Sequence, residues 1–93
     1  MQRLWIVAYD ISNDRHRSRV ERCLLAVGER VQWSVFEAFL TPEGQRRLQA
    51  ELDPWIDPDT DSLRWYPLCL WCQQEIEWLG KGRRTTDDWL LVV

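Results

Sequence analysis

Leu4-Trp5-Ile6-Val7-Ala8-Tyr9 is the stretch that decides the fold. Leu4, Ile6 and Ala8 share one parity, and Trp5, Val7 and Tyr9 share the other. A strand here is apolar on both faces, so it belongs inside a sheet buried on both sides. A chain of 93 residues has enough helix to cover one of those faces. Something else must cover the second. Asp10 ends the run and puts a carboxylate where the chain turns into an Arg-rich segment.

Downstream, Ser12 or Asn13 caps a helix, and Asp14 suits its positive end. His16, Val20, Cys23, Leu24 and Val27 form its inner stripe, with Arg15, Arg19 and Arg22 on the opposite side. Gly28 is the stop signal. Arg30 to Leu40 is rich in Val, Trp and Phe and reads as β, with a short arm at 30–32 and a longer one at 34–40. Thr41 caps a second helix that starts with Pro42, turns Leu48, Leu52 and Trp55 inward, and ends at Pro54. Residues 57–61 form a polar loop. Ser62 to Leu68 alternates as a strand, with Leu63 and Trp65 opposite Arg64 and Tyr66. The order β-α-β-β-α-β predicts an α+β, ferredoxin-like domain over the whole chain, with a core at 3–70 and an extension at 71–93. In that extension 70–79 is mixed, 80–86 is a basic loop, and Trp89-Leu90-Leu91-Val92-Val93 is an extra terminal strand for dimer or partner contacts.

Composition narrows the function. A single small domain buries only about two-thirds of its extended surface, so a monomer is marginal. Seven Trp in so short a chain point to a core completed by a partner, which predicts a homodimer. The net charge of −3 gives no global nucleic-acid signal, but of the 12 basic residues only Lys81 is not Arg. Arg is the better bidentate phosphate ligand. Met1-Gln2-Arg3 leads straight into a short apolar run, so no secretory signal is read, and no stretch is long enough to span a membrane. Three Cys without a secretion signal predict reduced thiols in a cytoplasmic protein.

Each candidate site has a bland counterpart. Asp10 is a candidate divalent-cation ligand, or else a loop Asp bonded to nearby amides. One carboxylate holds Mg²⁺ poorly, and two copies of Asp10 across a two-fold axis would supply a pair. The Arg15/Arg19/Arg22 face is a candidate phosphate-backbone surface, or a solvated helix face. Arg83 and Arg84 are weaker candidates of the same kind. Cys69-Leu70-Trp71-Cys72 has CxxC spacing, but a zinc knuckle needs a second pair and a thioredoxin-like site must open a helix after a strand. Buried structural thiols are the expectation. His16 is expected to be packed rather than catalytic, and Ser34 to bond backbone rather than phosphate. No P-loop, GxGxxG or nucleophile elbow is present.

Tyr9-Asp10-Ile11 followed by Arg15, Arg17 and Val20, then Gly28-x-Arg30-Val31-Gln32-x-Ser34-Val35-Phe36-Glu37, and then Asp61-Ser62-x-Arg64-x-Tyr66-x-Leu68, resemble the small Cas2 proteins of CRISPR adaptation. The match is good over about 3–70, and Trp33 stands where many members carry Tyr or another residue. The resemblance implies a ferredoxin-like homodimer with facing sheets, in which Asp10 and its mate bind Mg²⁺ or Mn²⁺. It implies metal-dependent endonuclease activity on RNA or double-stranded DNA. It also implies a non-catalytic hub that bridges two integrase (Cas1) dimers and holds duplex DNA. With one acidic residue per chain and no evident general base, the scaffold role ranks first. The alternatives are a regulatory or toxin-type ribonuclease domain of ferredoxin-like fold outside CRISPR.

Overall fold

The computed structural model describes residues 1–77 and 79. Its elements are β1 (Arg3–Asp10), α1 (Asp14–Leu25), β2 (Glu29–Gln32), β3 (Val35–Leu40), α2 (Pro42–Leu52), a 3₁₀ turn (Asp53–Trp55), β4 (Ser62–Leu68) and α3 (Leu70–Gln74). The strands form one antiparallel sheet in the order β2-β3-β1-β4. This is the ferredoxin-like arrangement expected from the element order. The expected terminal strand at Trp89–Val93 and the loop at 80–86 lie outside the described residues.

Strand parity sorts the side chains onto two faces. Val7 pairs with Phe36 and Trp65, and Trp5 pairs with Ala38. These side chains and Tyr9 face α1 and α2, where Val20, Leu24, Leu48 and Leu52 complete the buried core. Phe36, Val7, Val20 and Leu24 are fully buried. Burial of each such side chain is worth roughly 1.5–3 kcal/mol, which makes this face the main source of stability. Trp5 and Trp65 meet edge to face at 5.8 Å, and Tyr9 stacks on Phe36 at 6.1 Å.

The other face carries Leu4, Ile6 and Ala8 of β1, Val35 and Phe39 of β3, and Tyr66 and Leu68 of β4. Among the described residues its Leu4 end is covered by α3, whose Gln73 Nε2 donates to the Leu68 carbonyl at 3.3 Å. Ile6, Ala8, Val35 and Phe39 remain half-buried. Both edge strands carry irregularities suited to an edge. β2 has a register shift between Arg30 and Gln32, and Pro67 sits in β4, where a missing N–H interrupts no inner ladder.

The helix starts follow the sequence. Asn13 Oδ1 accepts from the His16 amide at 3.0 Å, and Thr41 Oγ1 accepts from the Gly44 amide at 3.0 Å with Pro42 in the first turn. The helix ends differ from expectation. α1 stops at Leu25 with Ala26 as its cap, so Val27 leaves the inner stripe and is 42% exposed. Gly28 serves close approach: an added Cβ would lie 2.2 Å from the Glu37 carbonyl oxygen. α2 stops at Leu52, and Pro54 falls inside the 3₁₀ turn. β3 begins at Val35 rather than at Ser34.

Candidate functional site at the carboxyl end of the first strand

Four segments converge where β1 ends. Asp10 pairs with Ser62 at the start of β4. The Tyr9 amide donates to the Ser34 carbonyl at 3.0 Å, which holds the β2–β3 turn beside it. The Ser34 contact here is made by its main-chain carbonyl, not by its hydroxyl. Arg17 of α1 donates from Nη1 to the Ile11 carbonyl at 3.0 Å and from Nη2 to Asp14. The polar 57–61 loop completes the group. Its Asp61 accepts from the Ser12 amide and hydroxyl through Oδ1 and from the Asp57 amide through Oδ2, at 2.9–3.2 Å. The amides of Asp57 and Ser12 hold its carboxyl below the usual carboxylate range.

Asp10 itself is exposed, and its side chain has no hydrogen-bond partner among the described residues. It shares strand parity with Leu4, Ile6 and Ala8, so it stands on the rim of the uncovered face. No group of three His, Cys, Asp or Glu able to hold an ion occurs among the described residues. The donor chemistry suits a hard cation, and a pair would need a second carboxylate beyond those the described residues bring to Asp10.

Sequence reading missed Tyr9 as a structural key to this end. Its hydroxyl donates to Glu21 Oε1 at 3.0 Å, with the Trp33 carbonyl oxygen 3.3 Å away. Glu21 Oε2 in turn pairs with Arg30 at 3.1 Å, and the Arg30 guanidinium lies over the Phe36 ring. Burial first, and then the Glu21 carboxylate, push the phenol well above its ordinary value. Tyr9 therefore stays a neutral donor that ties α1 to the β2–β3 turn. The alternating apolar pattern concealed it, because a phenol on the inner parity reads as core. Trp33, at the tip of that turn, is 86% exposed.

Arg15, Arg19 and Arg22 are exposed along α1, on the side away from the sheet. None of them forms an ion pair among the described residues, whereas Arg17 and Arg30 do. Arg19 rests over the Trp55 ring at 5.4 Å, and His16 packs edge-on against the same ring. His16 is thus a packed histidine, as expected. Arg83 and Arg84 lie outside the described residues. Cys69 and Cys72 contradict the expectation of buried thiols: both are exposed, because the motif sits at the surface junction between β4 and α3.

This combination defines a ferredoxin-like α+β domain with one face packed by helices, a second face that the described residues cover only in part, and a carboxylate on the rim of that second face. The chain belongs to the family described as CRISPR associated protein Cas2, whose profile matches residues 2–76. A relative from Chloroflexus aurantiacus, named CRISPR-associated endoribonuclease Cas2 3, is 39% identical over 87 residues, covering 94% of each chain. The crystal structure of Streptococcus pyogenes Cas2 superposes with a TM-score of 0.73 at 33% identity, over 83% of this chain and 99% of that one. A chain of a partial Cas6-RT-Cas1–Cas2 complex superposes with a TM-score of 0.70 at 28% identity, over 81% of this chain and 88% of that one. No helix among the described residues is long and apolar enough to cross a membrane.

Proposed function

We propose that this chain works as a homodimeric CRISPR adaptation protein that holds duplex DNA for a Cas1-type integrase and carries a divalent-cation site built from Asp10 of two copies. The observation that carries this reading is parity. Asp10 stands on the same face of β1 as Leu4, Ile6 and Ala8, so a second copy seated on that apolar face brings its own Asp10 toward the first. Two carboxylates, with water and a substrate phosphate, meet the usual needs of Mg²⁺ or Mn²⁺. An ion held there would supply Lewis-acid polarisation of a phosphodiester. The endoribonuclease name of the Chloroflexus relative supports the cleavage reading, and the Cas1–Cas2 complex among similar structures supports the integrase partner.

The scaffold role stands first, because the ligand set is thin and the Arg stripe, without an ion pair among the described residues, is not. Arg15, Arg19 and Arg22, doubled by a two-fold axis, form a track for phosphates rather than for bases. Arg83 and Arg84 extend it in this reading, and Trp89-Leu90-Leu91-Val92-Val93 docks the integrase or the partner subunit. RNA remains the alternative substrate to duplex DNA.

The test uses purified protein with labelled duplexes and RNA in Mg²⁺ or Mn²⁺, beside the Asp10→Ala variant. Asp10→Ala is expected to remain dimeric and to lose all cation-dependent cleavage. Cleavage that survives in Asp10→Ala or in excess EDTA overturns the metal assignment. A wild type that cleaves nothing, yet binds DNA with a steep salt dependence alongside Cas1, leaves the scaffold role alone standing.

A further inference from the structure

We propose that Cys69 and Cys72 form a reversible dithiol–disulfide site that exchanges with low-molecular-weight disulfides of the glutathione class. Three observations carry this. The two sulfurs lie 3.3 Å apart, so a modest side-chain rotation brings them to bonding distance. Both residues are exposed, so a small disulfide reaches them without opening the fold. No third metal-ligating group joins them among the described residues, which leaves a redox pair rather than a metal cage.

The local chemistry gives the two thiols different roles. The Cys72 amide approaches Cys69 Sγ at 3.4 Å and, with the neighbouring Cys72 thiol, holds the Cys69 thiol below its ordinary value. Cys72 is pushed up by the same pairing, first through its hydrogen bond to Cys69 and then through the charge on that sulfur. Cys69 is therefore the attacking group. Its thiolate attacks one sulfur of the small disulfide, whose S–S bond breaks and releases one thiolate. The mixed disulfide carries no charge on the Cys69 sulfur, which removes the cause that held the Cys72 proton. Cys72 then loses that proton, attacks the Cys69 sulfur and expels the second thiolate. Two protein thiols are oxidised, one small disulfide is reduced, and the two protons pass to the departing thiols.

Cys23 provides an internal contrast. It is half-buried, its thiol donates to Glu51 Oε1 at 3.5 Å, and burial first and then Glu51 push it up. It should stay reduced. The disulfide would also fix the junction by which α3 leaves the sheet, where the Gln73 amide donates to the Cys69 carbonyl at 3.0 Å.

The experiment incubates the full-length chain across a series of reduced-to-oxidised glutathione ratios, quenches with acid, alkylates, and reads intact and peptide masses. The expected result is loss of two hydrogens and of both alkylatable thiols at Cys69 and Cys72, with Cys23 still alkylated. Dithiothreitol should reverse it. Cys72→Ser should stop at a glutathione adduct on Cys69. Cys69→Ser should form no internal bond, and its Cys72, freed of the charge that held its proton, should react only as an ordinary exposed thiol. In the oxidised wild type the Gln73 amide should exchange its hydrogen more slowly. The idea is overturned if only mixed disulfides form in the wild type, or if Cys23 oxidises first. It is equally overturned if protection from alkylation persists in strong reductant and disappears with a chelator, which would make the pair a metal ligand.

Discussion

The two faces of the sheet are built from similar residues and end in different states. On the helix side, Val7, Phe36 and Ala38 vanish beneath α1 and α2. On the other side, Ile6, Ala8, Val35 and Phe39 are covered only in part, and Tyr66 is 45% exposed. Hydrophobicity alone does not separate the two, since β1 is apolar on both parities. What separates them is helix supply: each of the two long helices follows a strand that sends it back over the same face. The difference teaches that one face carries the fold, while the described residues leave the other only partly covered. Asp10 sits on the rim of the second kind of face, which is why the proposed cation site calls for a second copy.

The largest expected effect lies on the covered face. Phe36 is 0% exposed, stacks on Tyr9 and lies beneath Arg30. Phe36→Ala should cost about 3–5 kcal/mol of folding stability, much of what a small domain has. Urea titration followed by circular dichroism measures it. A loss below about 1 kcal/mol would mean that this face collapses around the gap, and that the distinction between the faces is weaker than the burial implies.

The open face should respond through association instead. Ile6 lies between Glu37 and Tyr66 in register, at the middle of that face. Ile6→Asp places a carboxylate where a second sheet would pack. It should raise the dimer dissociation constant by about 100-fold or more, roughly 2.7 kcal/mol, while the helix-side core stays intact. Light scattering over a range of concentrations, with circular dichroism as the control for folding, decides it. A variant that remains dimeric at the wild-type affinity would move the interface elsewhere and remove the argument for paired Asp10 carboxylates.

How much of this was readable in the chain depended on whether the signal was local. The strand parities and both helix caps follow from short-range rules, and the structure has them where the residues point, whereas no Gly or Pro marks the turn between β2 and β3. Exposure of the Arg stripe was also readable, because helix periodicity fixes it. Three features were not. Gly28 reads as a helix terminator, yet its constraint is the Glu37 carbonyl, a contact made only once β2 pairs with β3. Tyr9 reads as core, and its hydroxyl gains partners only when α1 and the turn at Trp33 converge on it. Cys69 and Cys72 read as buried because free thiols commonly are, but the end of β4 on the sheet edge leaves them at the surface. In each case the missing information was a long-range contact, and the candidate site depends on such contacts most of all.

The smallest expected effect tests whether the rim around Asp10 belongs to either face. Asp61 lies at the surface outside the buried core, yet its carboxylate accepts from Ser12 beyond the end of β1 and from Asp57 within its own loop. Asp61→Ala should therefore loosen this corner without reaching the core or the open face, giving a modest fall in the urea midpoint and an unchanged dimer. The sign of its pH dependence follows from the cause. Hydrogen bonds to the charged form place the folded value below the unfolded one, which is about 3.9 for Asp. The contribution is then fully present above the unfolded value and is lost as pH falls through the folded one. The gap between wild type and Asp61→Ala should stay constant from neutral pH down to about 5 and narrow below about 4. A gap that widens on acidification would show that the Asp61 carboxylate is held neutral or repelled. The corner beside Asp10 would then already be too negative to explain by its hydrogen bonds alone.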